Sequence, residues 1–387
     1  MTDINVAVFV GTRADLGPLE PVITALADHP DVRVTLLTGV AFDVDELRAA
    51  LQESDRARVD IVAVAPPVDL DSSTDMLVHA AAMSQGLAVA LADHVFALAV
   101  VLGDRWELLT VVPALFLAGV PIVHLHGGEV TDGALDDRVR HAVTKLADIH
   151  CVATERSADR VRQMGEPADR VHVTGAPGLD RYHEIEPASD AELTALLGRE
   201  VVRPLVLFTY HPPTVGDVAD VGRNCADAVR ACTSFGGVVV ATHPGFDAGR
   251  DEVISALEAQ AAVDSEFIVI PSLGHVYPRV LRAADVVVGN SSSGIIEAAS
   301  AHLPAVDIGI RQQGREHGEN VLHSDEGFDN VRRTVGEALE PSFRARAAAV
   351  VNPYGDGRSS ERIVEAVLTA VSLGRMKPFV EESVRRP

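Results

Sequence analysis

Short apolar runs with the composition of β-strands alternate with helical segments along the whole chain, and this alternation constrains the fold most. Early examples are "INVAVFVG", "FALAVVLGD" and "VPIVHLH". Their near-continuous hydrophobicity is typical of strands that are buried on both faces of a parallel sheet. The sequence therefore predicts an α/β fold built from doubly wound parallel sheets.

A turn-rich segment near the middle of the chain, "GAPGLDRYHEIEPASD", interrupts this alternation, which starts again with "PLVLFTYHP". Since 387 residues are also too many for one comfortable core, we predict two Rossmann-like domains, residues 1–178 and residues 179–365. The last helical segment, "SSERIVEAVLTAVSLG", either stays with the second domain or returns to the first. The C-terminal segment, residues 366–387, is the part expected to pack back on the first domain.

The charge balance limits the classes of partner. The chain carries 33 Lys and Arg against 56 Asp and Glu, a formal net charge of −23, which argues against nucleic acid or an anionic membrane as a partner. No run of about 18 uninterrupted apolar residues occurs, so we expect no membrane-spanning helix, and the N-terminal sequence lacks the basic segment of a signal peptide. The three cysteines, Cys151, Cys225 and Cys232, show no metal-ligand spacing. A cytoplasmic protein is expected.

Polar residues follow many of the predicted strands, and sheets of this class bind ligands beyond the carboxyl ends of their strands. In the first domain these are residues 11–13, 103–105 and 124–129. In the second domain they include residues 210–212, 289–293 and 309–315. We therefore predict an active site in the cleft between the two domains.

The segment "VVVGNSSSGIIEAAS" predicts a strand, a turn of small residues and a helix whose N-terminus can bind an anion. Ser291 and Ser292 offer hydroxyl groups there, and Gly294 permits close approach of a ligand. Glu297 lies about one turn further on, where its carboxylate can accept hydrogen bonds from sugar hydroxyls. An ordinary capped helix is the alternative. The sequence has neither GxGxxG nor GxxxxGK[ST], the motifs of dinucleotide and Walker-type phosphate sites.

Three arginines at strand ends suit a diphosphate, because a guanidinium group can engage two oxygen atoms at once. Arg311 and Arg315 lie in "GIRQQGREHGENVLH", and Arg13 lies in "GTRAD". Each alone would be read as surface charge. Their common position at strand ends favours a binding role.

The segment "IVHLHGGEVTDGALDDRVRHAVTKLADIHCVAT", residues 122–154, concentrates titratable groups just past a buried strand. One interpretation is a divalent metal site built on His124 and His126. However, alternate residues share a face only while a strand continues, and Gly127 and Gly128 break this one at once. We favour a hydrogen-bonded core position for His124 and expect no metal ion.

An acid/base site fits this segment better. Carboxylates crowded in a water-poor cleft push their pKa values apart, so that some act as acids and others as bases near neutral pH. An acidic helix N-terminus is the alternative for Asp136, and Arg138, Arg140 and Lys145 are expected in part on that helix's solvated face. The acid/base candidates are Asp104, His126, Glu129, Asp136 and, from the second domain, His211.

Taken together, these motifs resemble the UDP-N-acetylglucosamine 2-epimerase family, and its hydrolysing branch in particular. The most specific are the HGGE-to-TKL stretch of residues 122–154 and "IGIRQQGREHGENVLH", and further motifs extend the resemblance over nearly the whole chain. It implies a glycosyltransferase-B-like architecture, no cofactor, and a homodimer or dimer of dimers. The implied reaction converts UDP-N-acetylglucosamine and water to N-acetylmannosamine and UDP, by elimination to a 2-acetamidoglucal followed by hydration.

The resemblance also implies roles for individual residues. Those that contact the nucleotide sugar are Arg13 and Arg105. Those that hold UDP are Ser291, Ser292, Glu297 and Arg311. Those at catalytic positions are Asp104, Asp136 and His211, and the resemblance does not identify which of them removes the proton from carbon 2 of the sugar.

Two positions depart from the family pattern. His126 stands where several relatives carry a catalytic glutamate, and Gly245 in "HPGFDAG" stands where relatives have an asparagine of a uracil-contacting loop. Both bear on which UDP sugar is accepted, and 2,4-diacetamido-trideoxy sugars are among those used by the hydrolysing branch. The alternatives are a non-hydrolysing epimerase, a glycosyltransferase of the same fold, a metallohydrolase and a non-catalytic nucleotide-sugar-binding protein.

Overall fold

The computed structural model describes residues 4–68, 73–131, 136–183, 185–212, 220–245, 249–373 and 377–381. The described residues fold into two compact units. The first lies within Met1–Glu129, Asp136–Asp180 and Tyr354–Pro387, and the second within Val130–Leu135 and Arg181–Pro353. Each unit has its own sheet with alternating helices, so the prediction of two Rossmann-like domains is confirmed.

The first unit is built on a parallel sheet of seven strands. Its strands are β1 (Ile4–Phe9), β2 (Val32–Thr38), β3 (Val59–Ala63), β4 (Leu98–Leu102), β5 (Ile122–Leu125), β6 (Ile149–Val152) and β7 (Val171–Val173). The helices between them are α1 (Arg13–Asp28), α2 (Val44–Ala50), α3 (Ser73–Asp93), α4 (Leu108–Ala118), α5 (Asp136–Leu146) and α6 (Glu155–Gln163). A short 3₁₀ segment is Ala168–Arg170, and a second, Pro177–Tyr182, crosses the boundary to the second unit at Asp180. The strand order is β3-β2-β1-β4-β5-β6-β7.

Both faces of this sheet are covered, because successive residues of a strand point to opposite faces. In β1, Val6 and Val8 pack with residues of α1, whereas Ala7 and Phe9 pack with residues of α3, α4 and α5. All four side chains are buried. The two-sided burial explains why the strands read as nearly continuous apolar runs.

The second unit repeats this architecture with six parallel strands. Its strands are β8 (Val206–Thr209), β9 (Val239–Thr242), β10 (Phe267–Ile270), β11 (Val286–Gly289), β12 (Ala305–Ile308) and β13 (Val321–Ser324). Its helices are α7 (Asp190–Leu197), α8 (Val221–Thr233), α9 (Arg250–Ala261), α10 (Tyr277–Ala283), α11 (Ser292–Ile296), α12 (Phe328–Leu339) and α13 (Pro341–Ala348), with a 3₁₀ turn at Gly274–Val276. The strand order is β10-β9-β8-β11-β12-β13.

In each sheet the strand order reverses beside the first strand of the unit, between β1 and β4 in one and between β8 and β11 in the other. The strands on either side of each reversal are paired in parallel, with Val6 opposite Leu98 and Val206 opposite Val286. A reversal of this kind leaves a crevice at the carboxyl ends of the strands, where doubly wound sheets bind their ligands. Each unit therefore has one preferred edge for a site.

The C-terminal helix, α14 (Ser359–Ser372), belongs to the first unit. The Asp180 carboxylate accepts hydrogen bonds from the backbone N–H groups of Ser359 and Ser360, at 2.8 and 2.7 Å, and so caps the start of the helix. Ile363, Val367 and other apolar residues of α14 are buried in the same cluster as α1. The second unit therefore ends at Pro353 rather than at residue 365, because the whole helix buries its apolar residues in the core of the first unit.

Helix α3 is the one helix in the described ranges that is long and apolar enough, by length and composition, to cross a membrane: Thr74–Asp93 has a mean hydropathy of 1.3. Its inner side packs in the core of the first unit through Met83, Leu87 and Ala90. Only 22% of the apolar window is buried, and one helix of this kind is weak evidence for a membrane. Leu77 and Val89 are exposed on its outer side.

Close packing of α3 on the end of β3 makes Gly86 sensitive to substitution. A Cβ atom at this position would lie 1.7 Å from the carbonyl oxygen of Val64, which is backbone and cannot rotate away. We expect Gly86→Ala to lower the free energy of unfolding by about 2 kcal/mol or more through overpacking. Denaturant-induced unfolding measures this loss.

Gly336→Ala is the matched control, because Gly336 is also inside a helix but has its nearest neighbouring atom, on Phe235, at 3.6 Å. This substitution should be neutral or stabilising by up to about 1 kcal/mol. Equal destabilisation by the two changes would contradict the close approach of α3 to Val64.

Candidate functional site

Three polar loops follow neighbouring strands of the first sheet. β1, β4 and β5 lie side by side, and residues 11–13, 103–105 and 126–129 come directly after them. The first two loops flank the point where the strand order reverses. The structure thus brings Arg13, Asp104, Arg105, His126 and Glu129 to one edge of the first sheet.

Arg140 of α5 joins two of these loops, although its side chain is only 1% exposed. Its Nη2 contacts the Asp104 carboxylate, and its Nη1 donates at 2.9 Å both to the backbone carbonyl of Glu129 and to Oδ1 of Asp137. The prediction of a solvated Arg140 is wrong, because the buried face of α5 includes this residue beside Val139 and Val143. A buried guanidinium needs such partners to offset its lost hydration.

His126 and Glu129 form a hydrogen-bonded pair, with His126 Nδ1 2.5 Å from Oε1 of Glu129 and both side chains largely buried. His126 adopts a left-handed backbone conformation, with φ of 62°. Gly128 also has positive φ, and a Cβ there would lie 2.2 Å from the carbonyl oxygen of Ser157. The glycine therefore permits the tight turn that brings the carboxylate back to the imidazole.

This pairing assigns the proton of the His126 ring. A carboxylate accepts hydrogen bonds, so Nδ1 carries the hydrogen and Nε2 of the neutral ring carries a lone pair. An imidazole oriented by a carboxylate in this way is suited to take up a proton as a general base. The pair is thus a candidate base in place of the single glutamate expected from the family pattern.

His124 is a core residue, as favoured by the sequence analysis. Its Nε2 lies 2.8 Å from the carbonyl oxygen of Gly103, and its Nδ1 lies 3.2 Å from Oγ1 of Thr144. Burial lowers the pKa of this fully buried ring to about 3. Within the described ranges, no group of three or more His, Cys, Asp or Glu side chains is arranged to hold a metal ion.

Two further carboxyl groups, which the sequence analysis missed, lie behind Arg105. Glu107 is buried, and its Oε1 accepts a hydrogen bond from Nε of Arg105 at 2.9 Å. Asp15 accepts from the backbone N–H of Thr12 at 2.7 Å and thereby fixes the first turn of α1. Burial raises the pKa of both carboxyl groups, against a lowering effect of Arg105. A Cβ on Gly11 would touch both, so glycine is needed between them.

The other first-unit candidates lie at helix starts. Arg13 is the first residue of α1 and is exposed, although a helix N-terminus disfavours a cation. Asp136 is the first residue of α5 and is partly buried. Neither position fixes a chemical role by itself.

In the second unit, Asn290 ties together the loops that follow β8 and β11. Its Oδ1 accepts from the backbone N–H of His211 at 2.6 Å, and its Nδ2 donates to the backbone carbonyl of His211 at 2.8 Å. The Asn290 carbonyl in turn accepts from Arg311 Nη1 at 3.2 Å and from Gln312 Nε2 at 2.8 Å. Buried Gln312 was missed in the sequence, where it reads as an ordinary loop glutamine.

The His211 ring has the opposite proton arrangement from that of His126. Its Nδ1 accepts a hydrogen bond from the backbone N–H of Gly245 at 3.1 Å, so the hydrogen of the neutral ring is on Nε2. Burial, assisted by Arg311, lowers the pKa of His211 to about 3. His211 is therefore a neutral hydrogen-bond donor near pH 7. Gly245 contributes its backbone N–H, and residues 246–248 of the same loop lie outside the described ranges.

The serine-rich turn after β11 differs in detail from the prediction. Helix α11 spans only Ser292–Ile296, one short turn, so its dipole is small. Ser291 caps it by accepting from the backbone N–H of Ser293 at 3.4 Å. The Cβ direction of Gly294 points at Ala305 and Val287, toward the sheet, and a Cβ there would make ordinary contacts. The expected close approach of a ligand at Gly294 therefore has no support from its packing.

Glu297 is held by two hydroxyl groups. Its Oε2 accepts from the Tyr182 hydroxyl at 3.0 Å and from Ser293 Oγ at 2.9 Å. Burial raises the pKa of Glu297, against lowering effects of Arg181 and of these hydrogen bonds. Arg315 lies in the same loop as Arg311 and is partly buried.

The buried pair of Glu107 and Asp15 predicts a pH dependence of stability. Because burial raises both pKa values above the 4.5 and 3.8 of the unperturbed groups, the folded protein holds protons that the unfolded chain has released. The contribution of these two carboxyl groups to stability is therefore greatest below their unperturbed pKa values, and it is lost as the pH rises through the folded pKa values. Glu107→Gln should make this loss smaller in denaturant unfolding measured at a series of pH values above the unperturbed 4.5. Exposed Glu53→Gln is the control, and an unchanged slope in Glu107→Gln would contradict the prediction.

Comparison with known proteins places this chain in a family. The profile described as UDP-N-acetylglucosamine 2-epimerase matches residues 25–368. The chain is 31% identical over 371 residues to the UDP-N,N'-diacetylbacillosamine 2-epimerase (hydrolyzing) of Legionella pneumophila, covering 93% of this chain and 94% of that protein. It is 28% identical over 287 residues to the GDP/UDP-N,N'-diacetylbacillosamine 2-epimerase (hydrolyzing) of Campylobacter jejuni, covering 73% and 74%.

The fold is similar to that of S. aureus MnaA in its co-structure with UDP, with a TM-score of 0.78 and 17% identity over 98% of this chain and 100% of that one. This likeness confirms the glycosyltransferase-B-like fold class. The match to the family profile covers most of the chain and confirms the resemblance drawn from the sequence motifs. The chain belongs to the UDP-N-acetylglucosamine 2-epimerase family.

Proposed function

We propose that this protein is a hydrolysing 2-epimerase that converts a UDP-linked 2-acetamido sugar and water to the free 2-epimeric sugar and UDP. The observation that carries the proposal is the buried Arg140, which joins Asp104 to the loop of the His126–Glu129 pair. The Asp104 carboxylate and the His126 imidazole, which has a free lone pair to act as a base, thus lie on neighbouring loops at one edge of the sheet. Two relatives named as hydrolysing 2-epimerases support the same reaction class.

The reaction has two stages. In the first, a base removes the proton from carbon 2 while the bond between carbon 1 and the diphosphate oxygen breaks, and its electron pair leaves with UDP. Water then adds to the resulting 2-acetamidoglucal. Its oxygen bonds to carbon 1, and carbon 2 receives a proton on the face opposite to the one that lost its proton. The carbon 2 proton is weakly acidic, so its removal must be coupled to the departure of UDP, which cationic and hydrogen-bonding groups stabilise.

In this proposal the first unit supplies the acid/base groups. His126, oriented by Glu129, takes up or delivers one proton through Nε2. Asp104 and Asp136 are the carboxylates for the other proton transfers. Arg105 and Arg13 contact the nucleotide sugar. Buried Glu107 holds Arg105 in position through the 2.9 Å hydrogen bond to its Nε.

The second unit binds UDP in this proposal. Arg311 and Arg315 engage the diphosphate, and Ser291 and Ser292 donate hydroxyl hydrogen bonds. Glu297 accepts hydrogen bonds from the nucleotide through Oε1, because both hydroxyl partners bind its Oε2. His211 donates from Nε2 to developing negative charge on the leaving diphosphate. The proposal needs no cofactor, because the chemistry is proton transfer and cleavage of a C–O bond.

UDP-N-acetylglucosamine and UDP-N,N'-diacetylbacillosamine are the two substrates to compare. The names of the Legionella and Campylobacter relatives favour the diacetamido sugar. The proposal also includes a cytoplasmic location and a homodimer. Exposed apolar residues on α3 and α4, among them Leu77 and Leu117, support a contact between protomers at these two helices. Sedimentation analysis measures the assembly.

The reaction is tested by proton NMR of the purified enzyme with each UDP sugar in deuterium oxide, in the presence of a chelator. We expect free 2-epimeric sugar carrying deuterium at carbon 2, with one UDP released per sugar. Asp136→Asn should lower turnover about a hundredfold or more while UDP still binds, measured by calorimetry.

Exposed Asp159→Asn, on α6, is the matched control and should keep full turnover. An epimer that still carries UDP would identify a non-hydrolysing enzyme. Tight UDP-sugar binding without turnover of either sugar would identify a binding protein.

The His126–Glu129 pair is tested by a double-mutant cycle. His126→Asn keeps a residue that tolerates positive φ but removes the base, and Glu129→Gln removes the charge that orients the ring. Each should lower kcat about a hundredfold, and the double variant should be no worse than the poorer single variant, because the two groups act as a unit. Independent, multiplicative losses in kcat would contradict the pair.

A further inference from the structure

Two histidine rings of the second unit face each other at the edge of its sheet. His323 lies on β13, the last strand of the sheet, and His317 lies in the segment between β12 and β13. Their Nε2 atoms are 3.1 Å apart, and the ring planes are inclined at 75°. Neither ring belongs to the site proposed above.

The other nitrogen of each ring has a partner that accepts hydrogen bonds. Nδ1 of His323 lies 2.9 Å from Oδ2 of Asp307, a buried carboxylate on the neighbouring strand β12. Nδ1 of His317 lies 3.1 Å from the backbone carbonyl oxygen of Gly318. A carboxylate and a carbonyl oxygen both require a hydrogen on Nδ1. Each neutral ring therefore carries its lone pair on Nε2.

Two lone pairs that face each other at 3.1 Å repel unless a positive charge lies between them. A proton shared by the two rings is one such charge, and a metal ion bound to both is the other. Metal-ligating histidines characteristically donate their second ring N–H to a carboxylate or to a backbone carbonyl, and here one ring does each. With Zn–N distances of about 2.0–2.1 Å, the observed separation corresponds to an N–Zn–N angle of about 100°, close to tetrahedral.

We propose that His317 and His323 bind a divalent transition-metal ion of the zinc class through their Nε2 atoms, with Asp307 as a positioning residue for His323. The His323 side chain is 51% exposed, so an ion can reach it from solvent. Two protein ligands leave the other coordination positions to water, which makes the ion exchangeable. Bound there, it joins the end of the 309–320 segment to β13, and this segment also carries Arg311 and Gln312.

The test is a titration of metal-stripped full-length protein with Zn²⁺, followed by competition with a chromophoric chelator and, with Co²⁺ as a probe, by visible absorption. We expect one equivalent to bind with nitrogen coordination. His317→Ala and His323→Ala should each abolish this binding, and Asp307→Asn should weaken it about tenfold. His302→Asn is the control, because His302 is exposed and its Nδ1 also bonds a backbone carbonyl.

A second measurement distinguishes a bound metal ion from a proton shared by the two rings. In protein with ¹⁵N-labelled histidine, Zn²⁺ should shift the Nε2 resonances of His317 and His323 together, and thermal unfolding without metal should confirm that the variants fold. Nε2 resonances that are unchanged by Zn²⁺, or equal zinc binding by His317→Ala and the unsubstituted protein, would overturn the proposal. Neither readout depends on epimerase activity, so failure here leaves the proposed function standing.

Discussion

The buried guanidinium of Arg140 is the interaction on which the candidate site of the first unit depends. A cation that is 1% exposed destabilises the fold unless anionic and carbonyl partners surround it, and these partners come from different parts of the chain. Asp104 follows β4, the Glu129 carbonyl follows β5, and Asp137 lies on α5 itself. Satisfying one charge therefore fixes the positions of two loops and a helix start, which carry most of the acid/base candidates.

In the second unit a neutral side chain, Asn290, connects the loops of the candidate site. Asn290 bonds both backbone groups of His211, and its own carbonyl receives Arg311 and Gln312. A side-chain amide can donate and accept hydrogen bonds together, so it pairs with both the N–H and the C=O of a backbone residue without adding charge. In a chain with a net charge of −23, a neutral anchor at this edge avoids adding a negative charge where an anionic nucleotide is proposed to bind.

Pattern alone was sufficient for the fold class, because strands buried on both faces have a composition that few other structures require. It could not show which sheet α14 covers, since an apolar stripe fits either core. It misjudged Arg140, because arginine on a helix is usually solvated and its burial depends on Asp104, 36 residues earlier in the chain. Gln312 was missed for the same reason, because its partner is the backbone carbonyl of Asn290, 22 residues earlier in the chain. Glu107 was missed because its burial depends on Gly11 and Asp15, which are distant in the chain, although its hydrogen-bond partner Arg105 is close.

The two histidines of the candidate sites show why residue type does not settle chemical role. His126 has a carboxylate at Nδ1, which leaves a proton acceptor at Nε2, whereas His211 has a backbone N–H at Nδ1, which leaves a donor at Nε2. The proposed elimination requires a group that takes a proton from carbon and a group that stabilises the departing diphosphate. In that proposal one residue type serves both needs, because the Nδ1 partner decides which ring nitrogen carries the hydrogen: the Glu129 carboxylate for His126 and the backbone N–H of Gly245 for His211.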